Sequence, residues 1–66
     1  MRIVLNGEAR EVTEGTTVGA LLRDTVRDRS RIAVERNREI VPRAAYDEVV
    51  VAEGDEVEVV TLVGGG

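Results

Sequence analysis

The sequence predicts an α+β domain of two layers, in which a mixed sheet of roughly four to five strands is covered on one face by one main helix. Three observations favour this fold class: an opening stretch that alternates around Asn-Gly, a following stretch with helical spacing, and a closing aliphatic run. The length of 66 residues predicts one domain, residues 1–63, followed by a flexible glycine tail at residues 64–66.

The first segment, MRIVLNGEAREVT, is typical of a β-hairpin. Ile3 and Leu5 alternate with polar or solvent-facing neighbours, as expected of a strand with one buried face. The dipeptide Asn6-Gly7 follows, and it suits a two-residue type I′ turn because both central positions of that turn need a positive φ. Glu8 to Val12 then form the returning strand.

The second segment changes to the period of an α-helix. Its apolar residues recur at the spacing i, i+3, i+4, i+8 and predict one buried stripe, which consists of Val18, Leu21, Leu22 and Val26. Thr17, or alternatively Thr16, is expected to cap the helix by accepting from a backbone N–H of the first turn. Gly19 costs a helix about 1 kcal/mol relative to Ala, so we expect it to mark a close approach to the sheet. The Arg-rich stretch from Arg27 to Arg31 ends the element.

The third segment predicts two short strands. Ile32 and Val34 indicate the first, a turn is centred near Asn37, and Glu39 to Val41 form the second. Pro42 ends the second strand because proline has no N–H to donate to a sheet ladder.

The last segment contains four further elements. We expect a single helical turn over Ala44–Tyr46, a brief strand at Val49–Val51 and a turn centred on Gly54-Asp55. The final strand is predicted at Val57–Val63. If this strand pairs beside the first one in the middle of the sheet, the architecture is a β-grasp.

The composition excludes several classes of chemistry. Cysteine and histidine are both absent, which removes disulfides, thiolate nucleophiles, thiolate or imidazole metal sites and the usual general base. We therefore expect no bound metal and no catalysis that relies on these side chains. A small cysteine-free domain is typical of the cytoplasm, and no apolar run approaches the roughly 20 residues of a membrane span.

The charges are unevenly distributed. The net charge is −4, all nine basic residues are Arg, and residues 44–66 contain six acidic residues and no basic one. An acidic final third argues against nucleic acid as a partner, because nucleic acid requires a basic surface. Two interpretations remain open: a solvated face that aids solubility, and a surface for a partner with a basic groove.

The side chains within the domain offer weak candidates for chemistry. The adjacent carboxylates Asp47-Glu48 and Asp55-Glu56 could serve as an acid–base pair, but both pairs flank turns. A cation site formed by Glu53, Asp55 and Glu56 is also disfavoured, because these residues lack the regular ligand spacing of a calcium loop. A stripe of arginines at four-residue spacing is predicted to be solvated or to contact a partner; it consists of Arg23, Arg27 and Arg31.

The terminal glycines are the strongest candidate site. The carboxylate of Gly66 is ionised at pH 7 and is a competent oxygen nucleophile, and Gly64, Gly65 and Gly66 have no side chain that could block its approach to an active site. Three extended residues reach about 10 Å, which suits a narrow tunnel in a partner. The alternative is a frayed terminus without function.

Five segments in order give the chain a resemblance to the ThiS family, the small β-grasp sulfur carriers of thiazole biosynthesis, which are similar in fold to ubiquitin. These segments are LNGE, GTTVGALL, IVPR, GDEVEVV and the terminal Gly65-Gly66. The bulky ERNRE turn and the third glycine, Gly64, lie at the edge of the family pattern.

The resemblance implies a carrier that is not itself an enzyme and holds no cofactor of its own, and whose C-terminus is activated by partner enzymes. An E1-like adenylating enzyme of the ThiF type would use ATP to form an acyl-adenylate at Gly66. A persulfide, supplied by a donor such as a cysteine desulfurase, would then lead to a thiocarboxylate, by way of an acyl disulfide or directly. The thiocarboxylate would donate its sulfur to a thiazole synthase of the ThiG type.

A docking surface for these partners is predicted beside the tail. If Val57 and Val59 point into the core, alternation places Val60 and Leu62 on the opposite face. Charged residues are expected to rim this patch, namely Arg43, Glu56 and Glu58.

Three alternative functions remain open. The first is a sulfur carrier of the type found as the small subunit of molybdopterin synthase, and the second is a ubiquitin-like protein modifier. The third is a passive β-grasp binding module that needs no free terminus.

Overall fold

The computed structural model describes residues 1–23, 25–26 and 28–62. These residues form one five-stranded sheet, one α-helix and two 3₁₀ turns. The strands are β1 (Arg2–Leu5), β2 (Glu8–Glu11), β3 (Ile32–Arg36), β4 (Glu39–Val41) and β5 (Glu56–Thr61). The helix α1 is Val18–Arg23, and the 3₁₀ turns are Arg29–Arg31 and Arg43–Ala45.

The final strand lies in the middle of the sheet. The strand order is β2-β1-β5-β3-β4, with β5 parallel to β1 and antiparallel to β3. Both outer pairs, β1 with β2 and β3 with β4, are antiparallel hairpins. The sheet is therefore mixed and covered by one helix, which confirms the predicted β-grasp architecture.

The core lies between α1 and one face of the sheet. Val18, Leu21 and Leu22 of the helix pack in one cluster with buried side chains of every strand except β2. The strand members are Ile3, Leu5, Ile32, Val34, Val41 and Val57. Tyr46, the sole aromatic residue in the chain, is 2% exposed and completes the cluster with Val51.

Two asparagines connect the hairpin turns to β5. Asn6 and Asn37 both have positive φ, 50° and 52°, as the first central position of a type I′ turn requires. The side-chain oxygen of Asn6 accepts from the Val59 amide at 2.8 Å, and that of Asn37 accepts from the Glu56 amide at 2.9 Å. Each asparagine side chain thus accepts one backbone hydrogen bond from β5 in place of a strand carbonyl.

The helix is shorter than predicted. It ends at Arg23, so Val26 packs against the core from outside the helix. Asp28 then caps the 3₁₀ turn Arg29–Arg31 through the Ser30 amide. Since Arg31 belongs to this separate turn, the helical stripe expected from arginine spacing is not formed by the described residues, and Arg27 lies outside them.

Other elements also differ from the prediction. Val49–Val51 is no strand, because its pairing is limited to one bridge between Val50 and Thr17, the residue that precedes α1. The turn before β5 is closed by the Asp55 amide and the Ala52 carbonyl at 3.0 Å, so its centre is Glu53-Gly54. The last strand ends at Thr61, and Val63 lies outside the described residues.

Gly19 approaches a loop and not the sheet, contrary to the prediction. A Cβ at this position would overlap the carboxylate of Asp47. That carboxylate is paired with both terminal nitrogens of Arg29 at 3.1 and 3.2 Å, and Arg29 also donates to the Gly19 carbonyl at 3.3 Å. Because glycine has no side chain, the Asp47–Arg29 ion pair fits over the start of α1.

Gly19→Ala should therefore fail to stabilise the protein on its own. Alanine favours a helix by about 1 kcal/mol over glycine, but here its methyl group displaces Asp47 from Arg29. In an Asp47→Ala background the same substitution should raise the free energy of unfolding by roughly that 1 kcal/mol. Urea denaturation of the four proteins of this double-mutant cycle measures the difference. Equal effects of Gly19→Ala in both backgrounds would contradict the steric explanation.

Within the described part of the chain, no helix has the length and apolar character needed to cross a membrane.

Candidate functional site

The end of β5 positions the segment that carries the predicted reactive group. The Leu62 amide donates to the Arg31 carbonyl at 2.7 Å, one residue beyond the strand. Gly64, Gly65 and Gly66 lie outside the described residues. What the structure supplies is the base of this segment: β5 pairs with β3 as far as Thr61, whereas β1 pairs only with its start, at Glu56 and Val57.

The two faces of β5 differ in exposure as far as Val60. Val57 is 1% exposed and Val59 packs against the core, whereas Val60 is 50% and Leu62 48% exposed. Val60 and Leu62 therefore share the face of the sheet that is turned away from α1, which we call the outer face. Their exposure agrees with the alternation of the sequence, and it leaves two aliphatic side chains beside the tail.

Two of the three predicted rim residues, Glu56 and Glu58, lie on the outer face of β5, and Arg43 lies in the 3₁₀ turn after β4. Glu58 is two residues from Val60, but Glu56 begins the strand and lies about 20 Å from Leu62 at the usual strand rise. Arg43 donates to the Ser30 carbonyl at 3.3 Å, which places it near the end of β5, where the next residue, Arg31, accepts from Leu62. The surface is thus a stripe with acidic residues at its start and a cation near its end.

In the candidate pair Asp55-Glu56, the carboxylate of Asp55 has a structural role. The Asp55 carboxylate is buried and accepts from the Ala52 amide at 2.7 Å, from Arg36 Nε at 2.7 Å and from the Asn37 side chain at 3.0 Å. Burial alone raises the pKa of Asp55, but these hydrogen bonds and the Arg36 charge outweigh it and hold the pKa below 3.8. A carboxylate that is fully engaged in this way is a poor proton acceptor.

Asp47, from the other candidate pair, is also engaged in an ion pair. The hydrogen bond from Arg29 lowers the pKa of Asp47, which likewise stays ionised. Among the described residues, no group of three acidic side chains is arranged to hold a metal ion. Among the described residues, Asp47 and Asp55 are therefore engaged in ion pairs with arginines.

Two outer-face residues were not singled out from the sequence. Glu35 stands directly opposite Glu58 on β5, and Ile40 on β4 stands opposite Glu35. Ile40 is 73% exposed, more than either Val60 or Leu62. Strand alternation in the segment IAVERNREIV was the available signal, but assigning Glu35 and Ile40 to the outer face required the register of three strands.

The comparisons with known proteins agree in family and in fold. The model of the ThiS family matches residues 3–66. The chain is 30% identical over 66 residues to the sulfur carrier protein ThiS of Escherichia coli (strain K12), covering both proteins completely. Among solved structures, that of a thiamine biosynthesis protein (ThiS) from Geobacter metallireducens superposes with a TM-score of 0.85 at 35% identity, and both chains are fully covered.

A longer relative also matches. The chain is 47% identical over 66 residues to a thiazole synthase of Paramagnetospirillum magneticum (strain ATCC 700264 / AMB-1). The match covers all of this chain but spans only a fifth of the length of that relative. That relative therefore contains a segment similar to this domain, and the other four fifths of its length are additional sequence.

Proposed function

The chain belongs to the ThiS family of sulfur carriers in thiamin biosynthesis, and from this premise we propose that its Gly66 carboxylate is the group that carries sulfur. The observation that carries the proposal is the match of the family model through residue 66, which includes the terminal Gly-Gly. The pairing of β5 supports it, because β3 holds the strand as far as Thr61 and the Leu62 amide donates to the Arg31 carbonyl, which fixes the base of a reactive terminus.

Activation begins with the carboxylate as nucleophile. An oxygen of the Gly66 carboxylate attacks the α-phosphorus of ATP in the adenylating enzyme, an O–P bond forms, and pyrophosphate leaves. The product is an acyl-adenylate, a mixed anhydride whose leaving group is AMP. The domain contributes an arm whose last three residues, Gly64 to Gly66, have no side chain; the four residues from Val63 to Gly66 reach at most about 14 Å when extended.

Sulfur enters by displacement of AMP. A persulfide attacks the acyl carbon and forms an acyl disulfide, and a second thiol then cleaves the S–S bond and leaves a thiocarboxylate. Direct attack by sulfide gives the same product in one step. A donor such as a cysteine desulfurase supplies the persulfide, since the chain contains no cysteine. The carrier thus holds no cofactor, and ATP and the thiols are used by its partners.

A thiazole synthase is the proposed acceptor of the sulfur. Thiocarboxylate sulfur is a better nucleophile than the oxygen it replaces, and it attacks a carbonyl-derived intermediate held by that enzyme. A relative named thiazole synthase matches this whole chain, which supports this acceptor over molybdopterin synthase. The proposed site of action is the cytoplasm, where these partners would meet the carrier.

Intact-mass measurement tests the proposal directly. The purified chain is incubated with the adenylating enzyme of the same organism, ATP and sulfide. Replacement of one oxygen by one sulfur at the terminus is the expected result, and omission of ATP is the control. Adducts on lysines of other proteins would support the protein-modifier alternative, and an unchanged mass under all conditions would overturn the proposal.

Docking is proposed to use the stripe of Val60, Leu62, Glu56, Glu58 and Arg43. Glu56→Lys combined with Glu58→Lys should lower the kcat/KM of adenylation about ten-fold or more, because like charges across an interface are strongly unfavourable. Pyrophosphate release measures the rate. Folding should be unaffected, since the side chains of Glu56 and Glu58 are exposed.

A matched control separates local docking from net charge. Glu14→Lys combined with Glu48→Lys changes the net charge equally at two other exposed sites in loops that adjoin α1. This variant should retain the wild-type rate. Equal rates for the two double variants would show that the stripe on β5 has no special role.

A further inference from the structure

The outer face spans three adjacent strands and carries exposed apolar side chains on two of them, β5 and β4. Val60 on β5 stands opposite Ala33 on β3, and the next pair along the same two strands on this face is Glu58 with Glu35. Glu35 in turn stands opposite Ile40 on β4. Val60 is 50% exposed and Ile40 73% exposed. The outer face therefore carries two exposed aliphatic side chains, one on either side of the Glu35–Glu58 pair.

The core does not explain the exposed isoleucine. Val41, the next residue on β4, is the one that points inward, and it is 7% exposed. The opposite edge strand, β2, has the composition Glu-Ala-Arg-Glu, and all its residues are exposed. Such charges are the usual protection of a sheet edge against association, whereas β4 presents a large aliphatic group at the corresponding position.

The acidic pair beside Ile40 is unfavourable in the isolated domain. Glu35 and Glu58 face each other directly on adjacent strands, and like charges in such a pair destabilise a sheet. Within the described residues neither carboxylate has an ion-pair partner. Locally unfavourable choices of this kind are expected where a sequence serves binding.

We infer that the docking surface extends across β3 to β4, with Ile40 as a second apolar anchor and the Glu35–Glu58 pair as the receptor for a basic side chain of the adenylating partner. This inference rests on the proposed function and adds two residues to it, Ile40 and Glu35. An arginine or lysine placed between the two carboxylates relieves their repulsion, and the aliphatic groups on either side shield the ion pair from water.

The charges favour a different protein over a second copy of this chain as the occupant. A two-fold contact through the outer face would bring the same surface of both copies together. Glu35 and Glu58 of one copy would then face the acidic surface of the other, in a protein whose net charge is already −4. A partner with an apolar surface and a basic side chain is complementary to both features.

The test compares two exposed aliphatic residues on different surfaces. Ile40→Ser removes the inferred anchor, and Val50→Ser is its control, because Val50 is 49% exposed and pairs with Thr17 away from the outer face. Binding to the adenylating enzyme without ATP is measured by calorimetric titration. Ile40→Ser should raise the Kd about ten-fold, as expected for a central apolar contact, and Val50→Ser should leave it unchanged.

Glu35→Gln supplies a second test, because a residue with only a structural role would not give the combination of results expected here. It removes the repulsion with Glu58, so the thermal midpoint of the free domain should rise. It also removes half of the receptor, so the Kd should rise several-fold and depend less steeply on salt. Greater stability together with weaker binding is the expected signature.

The outcomes separate this inference from the proposed function. Wild-type binding by both Ile40→Ser and Glu35→Gln, with normal thiocarboxylate formation, would overturn the inference and leave the function intact. A dimer in sedimentation velocity that Ile40→Ser dissociates would also overturn it, because the occupant would then be a second copy. Failure of the wild-type chain to form a thiocarboxylate would refute the proposed function itself.

Discussion

Removal of Gly65 and Gly66 should reduce thiocarboxylate formation to the background level and leave the stability of the domain unchanged. The shortened chain ends in a carboxylate that lies two residues, about 7 Å, short of the position it must reach in the adenylating enzyme. Stability should not change, because every strand and core side chain that the structure describes precedes residue 63. Intact mass after incubation with the enzyme, ATP and sulfide gives the first quantity, and thermal unfolding gives the second.

A full-length chain with a C-terminal amide is the matched variant for this experiment. It keeps all residues and the reach of the tail but lacks the anionic oxygen that attacks ATP. It should bind the adenylating enzyme through the outer face and form no adenylate. Adenylation of the amidated chain, or unchanged function of the truncated chain, would favour the passive binding module and would rule out a terminal nucleophile.

The largest expected loss of stability follows from Asp55→Asn. Three donors converge on the two carboxylate oxygens, from Ala52, Arg36 and Asn37, and an amide necessarily turns its own NH₂ toward at least one of them. Asp55 is the buried member of the pair and Arg36 is 34% exposed, so the main cost is that of leaving buried donors unsatisfied. This costs about 2–3 kcal/mol, which lowers the melting temperature of a small domain by roughly 8–24 °C. Differential scanning calorimetry measures the shift.

The same substitution at Asp47 is the control. Asp47 is also paired with an arginine, but its side chain is 65% exposed, and exposed ion pairs contribute little. Asp47→Asn should therefore change the melting temperature far less than Asp55→Asn. Similar shifts for the two variants would show that burial does not determine the contribution of these pairs.

The pH dependence of stability should identify the same carboxyl group. The folded pKa of Asp55 lies below its ordinary value of 3.8. A group with a depressed pKa stabilises the fold above its unfolded pKa, and that contribution is lost as the pH falls through the folded pKa. Wild-type stability should thus decrease below about pH 4. The decrease should be shallower in Asp55→Asn, although Asp28 and Asp47, whose pKa values are also lowered, retain their share.

Local patterns in the sequence correctly predicted most elements. Asn6-Gly7 gave the first turn because few residues other than Asn and Gly adopt positive φ at low cost, and the observed values are 50° and 82°. Pro42 correctly marked the end of β4. The helix was overestimated because Val26 continues the apolar spacing, while the chain leaves the helix after Arg23 and buries Val26 from a loop.

The candidate site could be predicted only in part. Val60 and Leu62 followed from alternation along a single strand, which is a local property. Ile40 and Glu35 could not be assigned to the same surface, because their proximity to Glu58 depends on the register of β3 against both neighbours. The burial of Asp55 was also missed, since in the sequence it is one of several acidic residues in a turn.

The sequence by itself determined the elements that depend on neighbouring residues, namely the Asn6-Gly7 turn, the start of the helix and the alternation of β5, together with the chemistry of a bare terminal carboxylate. The tertiary structure decided which residues far apart in the chain meet: Asp55 with Arg36, and Glu35 with Glu58 and Ile40. The physical reason is that backbone sterics and side-chain period act over a few residues. Strand register and the burial of a charge, in contrast, are set by the packing of the whole sheet against the helix.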